Sequence, residues 1–519
     1  GQDRYHDHPP LPQPGGDGPG VEAGGGKSTS CGKIPAYHNT NHQVRGEEPM
    51  SNPNVHLFRT SQMPYLYDVN TDTILPISER QFHEAKADKS LSSPLFQTMR
   101  EAGFLKENRV EEAEHPATPY LGFYLDHKIN QMILQVTQSC NLRCEYCIYS
   151  GAYHTRSHSQ KQMTTEIAHR AIDFLISHSA DSEEVFLSFY GGEPLLRVDL
   201  IQDCIEYFRK AGRGKKVSYN LTTNGTLLTD EIADLLVANE ISVMFSLDGP
   251  EPIHDYHRKY AKDGKGSFET LKKNVIRLRE RYPDYFAKHV NFNTVLDQRR
   301  DFSCVDDFVS GEDWLQGVIF SSSVIANDYG EDYIEPSAEF IQEREYEYFK
   351  ILLAALGKGD KEHLSKLELG RWKSFVQSLR TDHFGRGKGE LPRKAHHGGP
   401  CVPGAFRTFV TADGYFYPCE RVSETSELTG IGSVFTGYDQ KKIEDIINIG
   451  RESAAQCREC WAFRYCGIFI RAVDGGTTIS KESQVEHCRQ TRSYVESMFK
   501  DYCVLHDLGY DLWREESGL

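Results

Sequence analysis

"MILQVTQSCNLRCEYCIYSG", residues 132–151, joins an apolar run to three cysteines within eight residues, Cys140, Cys144 and Cys147. The run Met132–Gln138 is too short for a helix, carries a β-branched residue and ends at a polar turn, so it reads as a buried strand. Similar runs recur downstream: "EVFLSFY", "VSYNLTT", "ISVMFSL", "NFNTVL" and "GVIFSS". Helical stretches separate them, among them Thr164–His178, Thr229–Ala238 and Phe268–Arg281. Six strands alternating with helices predict parallel βαβ units, hence an α/β fold with an open sheet or an incomplete barrel over residues 128–334. Chemistry in such folds sits at the C-terminal ends of the strands, where the three cysteines fall.

Three thiolates so spaced can bind zinc. They can also hold a [4Fe-4S] cluster in which three irons have cysteine ligands and the fourth has none from the protein. A fourth cysteine would block the iron that receives a small molecule.

Composition narrows the function. The chain has 519 residues, room for about three domains, and a net charge of -16 with no dense Lys/Arg run. That balance argues against a nucleic-acid partner held through phosphates and suits a neutral or cationic one. No stretch of eighteen apolar residues predicts a membrane span, and the N-terminus lacks the pattern of a secretion signal. Thirteen cysteines, clustered and odd in number, read as metal or redox ligands in a reducing, cytoplasmic setting.

Residues 1–50 are rich in Gly, Pro, His and Asn and are expected to be a disordered tail or expression-derived sequence. Within them "GGGKST" (Gly24–Thr29) imitates a phosphate loop, but the first glycine of that motif would fall on Val21 and no strand precedes it. Residues 55–115 predict three short strands and two or three helices, including Glu79–Ala87 and Pro94–Ala102. A charged helical connector is expected over 335–395, a cysteine-dense domain over 396–505 and a tail over 506–519. Seven of the thirteen cysteines follow residue 400.

Cys-x3-Cys-x2-Cys after the first barrel strand, followed by "GGEP" (Gly191–Pro194) after the second, resembles the radical S-adenosylmethionine (radical SAM) superfamily. The resemblance implies a partial (β/α)6 barrel whose cluster chelates S-adenosylmethionine and reduces it to methionine and a 5′-deoxyadenosyl radical, which abstracts a substrate hydrogen. Further strand ends carry "TTNGT" (Thr222–Thr226) and "SLDGP" (Ser246–Pro250), then "HDYHR" with Arg258. By resemblance, Glu193 holds the methionyl amine, Arg258 meets the cofactor carboxylate, and Ser246, Asp248 and Asn224 lie near the ribose. Tyr146 and the close-packing glycines Gly191 and Gly192 complete the expected cofactor site.

The later cysteines resemble the SPASM extension of these enzymes, which holds auxiliary iron-sulfur clusters. Cys457, Cys460, Cys466 and Cys488 would form a fully ligated cluster, and Cys401 and Cys419 would belong to another. The pattern asks for one more cysteine at position 470, where this chain has Ile470. That first auxiliary cluster is therefore absent, smaller, or completed by Cys503 or a substrate thiolate. Zinc remains the simpler reading of the later cysteines taken alone. Cys31, Cys204 and Cys304 are expected to be ordinary thiols, the latter two in helix cores.

Glu420, next to Cys419, stands where related sulfatase maturases carry an acidic residue as a possible base; the plain alternative is a surface pair with Arg421. The 55–115 unit resembles a winged-helix-like leader-recognition element, and "CIYSGAYHTRSH" and "FYGGEPLL" resemble maturases of Cys-rich ribosomal peptides. The resemblance implies a thioether-forming peptide maturase supplied with electrons by a flavodoxin or ferredoxin. The rivals are a carbon–carbon or carbon–oxygen cross-linking cyclase, an anaerobic sulfatase maturase, or a non-catalytic peptide-binding scaffold.

Overall fold

In the computed structural model, which describes residues 52–149, 153, 155–212, 214–381, 389–397 and 401–513, the alternation read from the sequence closes into one curved sheet. The expectations for residues 1–50, for "GGGKST" and for Cys31 lie outside the described residues. Strands β1 (Val55–Arg59), β2 (Pro64–Asp68) and β3 (Thr73–Pro76) form a separate antiparallel sheet in that order. After the short β4 (Glu112–Ala113) come β5 (Gln131–Thr137), β6 (Leu142–Cys144), β7 (Glu184–Gly191), β8 (Lys216–Thr223), β9 (Ser242–Ser246), β10 (Arg258–Tyr260), β11 (Val290–Leu296) and β12 (Ile319–Val324). The chain ends with β13 (Lys394–Ala395), β14 (Arg407–Val410), β15 (Tyr415–Tyr417), β16 (Gly432–Ser433) and β17 (Gly437–Tyr438).

Six of these strands, β5, β7, β8, β9, β11 and β12, pair in parallel and in chain order. Every crossover therefore steps the same way and the sheet curls into a partial barrel. Thr164 and Thr229 cap two of the crossover helices by accepting hydrogen bonds from Ile167 N and Ile232 N, each cap contributing about 1 kcal/mol.

Parallel strands are usually apolar on both faces. Here they alternate. Val185, Leu187 and Phe189, then Val243 and Phe245, are buried among the helices. The opposite face carries Ser218, Asn220, Thr222, Ser246, Asn291, Asn293 and Ser321, all partly exposed. Side chains two residues apart share a face, so the curled sheet encloses a polar lumen open to solvent.

Among the described residues the C-terminal region has no sheet of its own. β14 adds parallel to β5, and β15, β16 and β17 continue it antiparallel, so the cysteine-rich segment extends the barrel wall past its first strand. The N-terminal sheet lies between two cores. Leu66 packs with Phe82 and Phe96 of its own helices, whereas Phe58, Tyr65 and Tyr67 pack with Trp372, Phe463 and Phe499 of the connector and C-terminal region. The connector contains helices Ala338–Ala355 and Lys366–Thr381. The expected tail at 506 begins later, because the last helix runs to Asp507 and Leu512 is buried in the same core.

Candidate functional site

The cysteine loop leaves the top of β5 and is held by backbone. Its β6 segment pairs antiparallel with β10, setting Cys144 opposite Arg258 and Leu142 opposite Tyr260. Gly191 has φ +133, and a Cβ there would stand 2.1 Å from Thr137 O. A Cβ on Gly192 would stand 2.2 Å from Ser139 O. The pair, expected at the cofactor site, admits the backbone of the cysteine loop, with Gly192 N donating to Thr137 O and Glu193 N to Ser139 O.

N–H groups converge on the sulfurs. Leu142 N lies 3.4 Å and Asn224 Nδ2 3.9 Å from Cys140 Sγ, and Arg258 Nη1 lies 3.9 Å from Cys144 Sγ. Burial pushes the Cys140 and Cys144 thiols up to about 12, and Cys147 upward also. Three part-buried thiols beside N–H donors and a guanidinium suit thiolates whose protons a metal displaces.

Glu193 is buried, and its carboxylate accepts from Thr223 Oγ1 at 2.6 Å, Asn224 N at 2.9 Å and Leu195 N at 3.0 Å. Burial raises its carboxyl against the pull of these donors. Asn224 also donates to Asn141 Oδ1 at 2.9 Å, tying the end of β8 to the cysteine loop. Ser246 stays half-exposed on the lumen face.

Asp248 departs from expectation. Its side chain is fully buried and accepts from Arg258 Nε at 2.8 Å, Val295 N at 3.2 Å and the Tyr146 hydroxyl, partners the sequence did not reveal. Burial would raise its carboxyl, but Arg258 and His254 outweigh that and hold it below the usual range. Asp248 and Tyr146 thus orient Arg258. His257 was missed from sequence: it joins Asp297 at 3.2 Å and lies 3.5 Å from Glu145, between two of the loop cysteines.

Of the later cysteines, four come together. Cys466 is pushed up to about 12 by burial and then by Cys457, Cys488 and Cys460. Cys419 is raised to about 11 by burial and by Glu420, and Cys401 is exposed. Cys503 cannot complete a cluster with them: it is buried in the core beside Asp507 and Tyr65. Ile470 is core as well. Cys204 is a helix-core thiol, whereas Cys304 is exposed, a correction to its expected burial.

Glu420 is no surface residue. Its side chain is 15% exposed, with Arg407 at 3.6 Å and Arg421 at 3.8 Å. It faces Tyr190 of the lumen, whose phenol is pushed up to about 12 by burial and by Glu420.

A family model described as the radical SAM superfamily matches residues 134–302. Over 394 residues the chain is 30% identical to a cysteine-type anaerobic sulfatase-maturating enzyme of Clostridium perfringens, an alignment covering 72% of this chain and 95% of that one. The chain belongs to the radical SAM superfamily, with the anaerobic sulfatase maturases. The radical SAM cofactors, S-adenosylmethionine and a [4Fe-4S] cluster, are those of this protein's family. A radical SAM cyclopropyl synthase of Paramaledivibacter caminithermalis is 28% identical over 40% of this chain and 45% of its own length. A serine-type anaerobic sulfatase-maturating enzyme of Bacteroides thetaiotaomicron is 34% identical over 31% of this chain and 38% of its own. The chain thus spans less than half the length of these two relatives. Native anSMEcpe with bound AdoMet superposes with a TM-score of 0.53 at 17% identity, covering 73% of this radical SAM chain and 100% of that one, a likeness of fold.

Proposed function

We propose that this chain is a radical SAM peptide-modifying enzyme that abstracts hydrogen from a side chain held in the polar lumen and joins a cysteine sulfur to the resulting carbon centre. The observation that carries this reading is the lumen itself, open beneath the three-cysteine loop and bounded by Glu420. When bound, the cluster and S-adenosylmethionine supply a 5′-deoxyadenosyl radical, and an auxiliary cluster on Cys457, Cys460, Cys466 and Cys488 supplies an acceptor for the electron left over.

The chain's own residues do the rest. Glu193 offers its remaining lone pairs to an ammonium, Arg258 offers a guanidinium to a carboxylate, half-exposed Ser246 offers a hydroxyl to the ribose, and buried Asn224 an amide. Glu420 accepts the thiol proton as sulfur attacks carbon.

Leader recognition by residues 55–115 is part of this reading, through strand addition at a free edge. Two edges exist, β1 and β3. Pro76 lacks a donor, so β3 is the poorer template and β1, with Val55, Leu57 and Arg59 at its edge, the better one.

Sulfatase maturation is the second reading, favoured by the 95% coverage of the Clostridium relative. Anaerobic incubation of the full chain with reductant, S-adenosylmethionine and a synthetic Cys-rich peptide separates the two by mass spectrometry. Loss of two hydrogens with consumption of the thiol supports the thioether. Replacement of the thiol by a hydrazide-reactive aldehyde supports sulfatase maturation, and absence of 5′-deoxyadenosine refutes both.

A further inference from the structure

The segment between β15 and β16, residues 418–431, has neither helix nor strand, so its carbonyls find no partners in regular structure. One buried side chain from elsewhere supplies two of them, the carbonyls of Glu420 and Val422. Arg156, nine residues beyond Cys147, donates from Nη1 to Glu420 O at 2.5 Å and from Nη2 to Val422 O at 3.0 Å. Its Nε lies 2.6 Å from Glu424 Oε1, with side-chain exposures of 2% and 12%.

We propose that Arg156 is a positioning residue: its guanidinium fastens the Glu420–Glu424 segment to the barrel mouth and so fixes the depth at which Glu420 meets the lumen. The inference rests on the reading of Glu420 as the base.

A planar fork is what this seat requires. Two carbonyls of one segment accept from the two terminal nitrogens of a single guanidinium, with the Glu424 carboxylate ion-paired beside Nε, an arrangement a lysine cannot match. Aromatic rings complete the seat, with the guanidinium carbon 5.2 Å from the Phe409 ring centre and 5.7 Å from that of Tyr149. Gln135 of β5 locks the far side. Its amide donates to Glu424 Oε1 at 2.7 Å and to the Tyr149 hydroxyl at 2.8 Å, and its carbonyl accepts from Ala412 N at 2.9 Å. A buried guanidinium used only for charge would need a single carboxylate. Here it also satisfies the backbone on either side of Arg421, in the strand-free segment that begins just before Cys419. The excursion that starts at the three cysteines thereby ends on the segment that carries Glu420.

The test uses the full, anaerobically reconstituted chain and its Arg156→Lys variant, followed by hydrogen exchange with mass spectrometry. Amides of residues 419–426 should exchange about tenfold faster in the variant, the scale expected when charge-assisted hydrogen bonds are lost, while those of β7 and β8 stay protected. With a synthetic Cys-rich peptide as probe, the ratio of 5′-deoxyadenosine to modified peptide should rise about tenfold. A merely structural arginine would lower both together. Millimolar guanidinium ion should partly restore the ratio in Arg156→Ala. Should Arg156→Lys fail to fold, Glu424→Gln, which keeps shape and loses charge, should show the same changes at about threefold. Unchanged exchange over 419–426, or lost protection with an unchanged ratio, overturns the proposal. Glu420→Gln with an unchanged ratio refutes the base reading alone, and the exchange data then still decide whether Arg156 anchors the segment.

Discussion

Two gatherings of cysteine, Cys140–Cys147 and Cys457–Cys488, differ in what accompanies the sulfur. The first has three thiols, a backbone ladder and a buried guanidinium 3.9 Å from Cys144. The second has four thiols, one of them 3.2 Å from the Ser453 hydroxyl, and its loop is held by the N-terminal unit. Asn54 Nδ2 donates to Arg458 O and Cys460 O at 3.3 Å, Arg464 donates to Val69 O and Asn70 O at 2.6 Å, and His56 stacks on Trp461 at 3.6 Å. Three sulfurs beside an arginine suit an iron that exchanges a ligand, and four sulfurs suit one that does not. The contrast also bears on the N-terminal unit: since it buttresses the second loop, deleting 55–115 would strip Phe58, Tyr65 and Tyr67 from a shared core instead of removing only a recognition module.

The strongest break of this contrast is replacement of Cys140, Cys144 and Cys147 together by alanine. It should remove about four irons per chain and all 5′-deoxyadenosine formation, leaving iron on the Cys457 set; metal analysis with anaerobic chromatography checks both. Next comes Asp248→Ala, which strands the buried Arg258 and should cost about 3–5 kcal/mol in denaturant unfolding while the second site keeps its iron.

A pH titration of stability follows in size. Burial holds His115 and His396 at about 4, below the usual 6.5. The unfolded chain therefore binds more protons between these values. Stability is complete above pH 6.5 and declines toward pH 4, by about 3 kcal/mol for each histidine at most. Unfolding midpoints that stay level across this window would contradict the assignment. The smallest effect is expected from Cys401→Ser, within about 0.5 kcal/mol and without iron loss, because that thiol is exposed. Loss of iron there would restore Cys401 to a cluster and blur the contrast.

Much of the barrel was legible in advance. The apolar runs and the caps at Thr164 and Thr229 mark strands and helices through local periodicity and local hydrogen bonding, which need no knowledge of distant residues. The three loop cysteines and the run Cys457, Cys460 and Cys466 are short spacings of the same local kind, whereas Cys488 lies 22 residues further on. Roles that depend on long-range partners were not legible. Asp248 reads as a strand-end carboxylate, yet Arg258 and Val295 consume it. Gly191 and Gly192 read as a close backbone approach, and only the fold shows that Thr137 and Ser139 make it. Cys401 and Cys419 read as partners across 18 residues of chain, a separation at which spacing no longer constrains distance.

By itself the sequence determined which residues form strands, which loop bears the reactive thiols and which family the chain resembles, because those properties live within windows of a few turns. Only the tertiary structure decided that the lumen is polar and open, that the cysteine-rich segment prolongs the barrel wall, and that Arg156 clasps the Glu420 segment. Each of these sets residues side by side that lie tens to hundreds of positions apart, and such meetings are selected by burial and hydrogen-bond satisfaction over the whole chain.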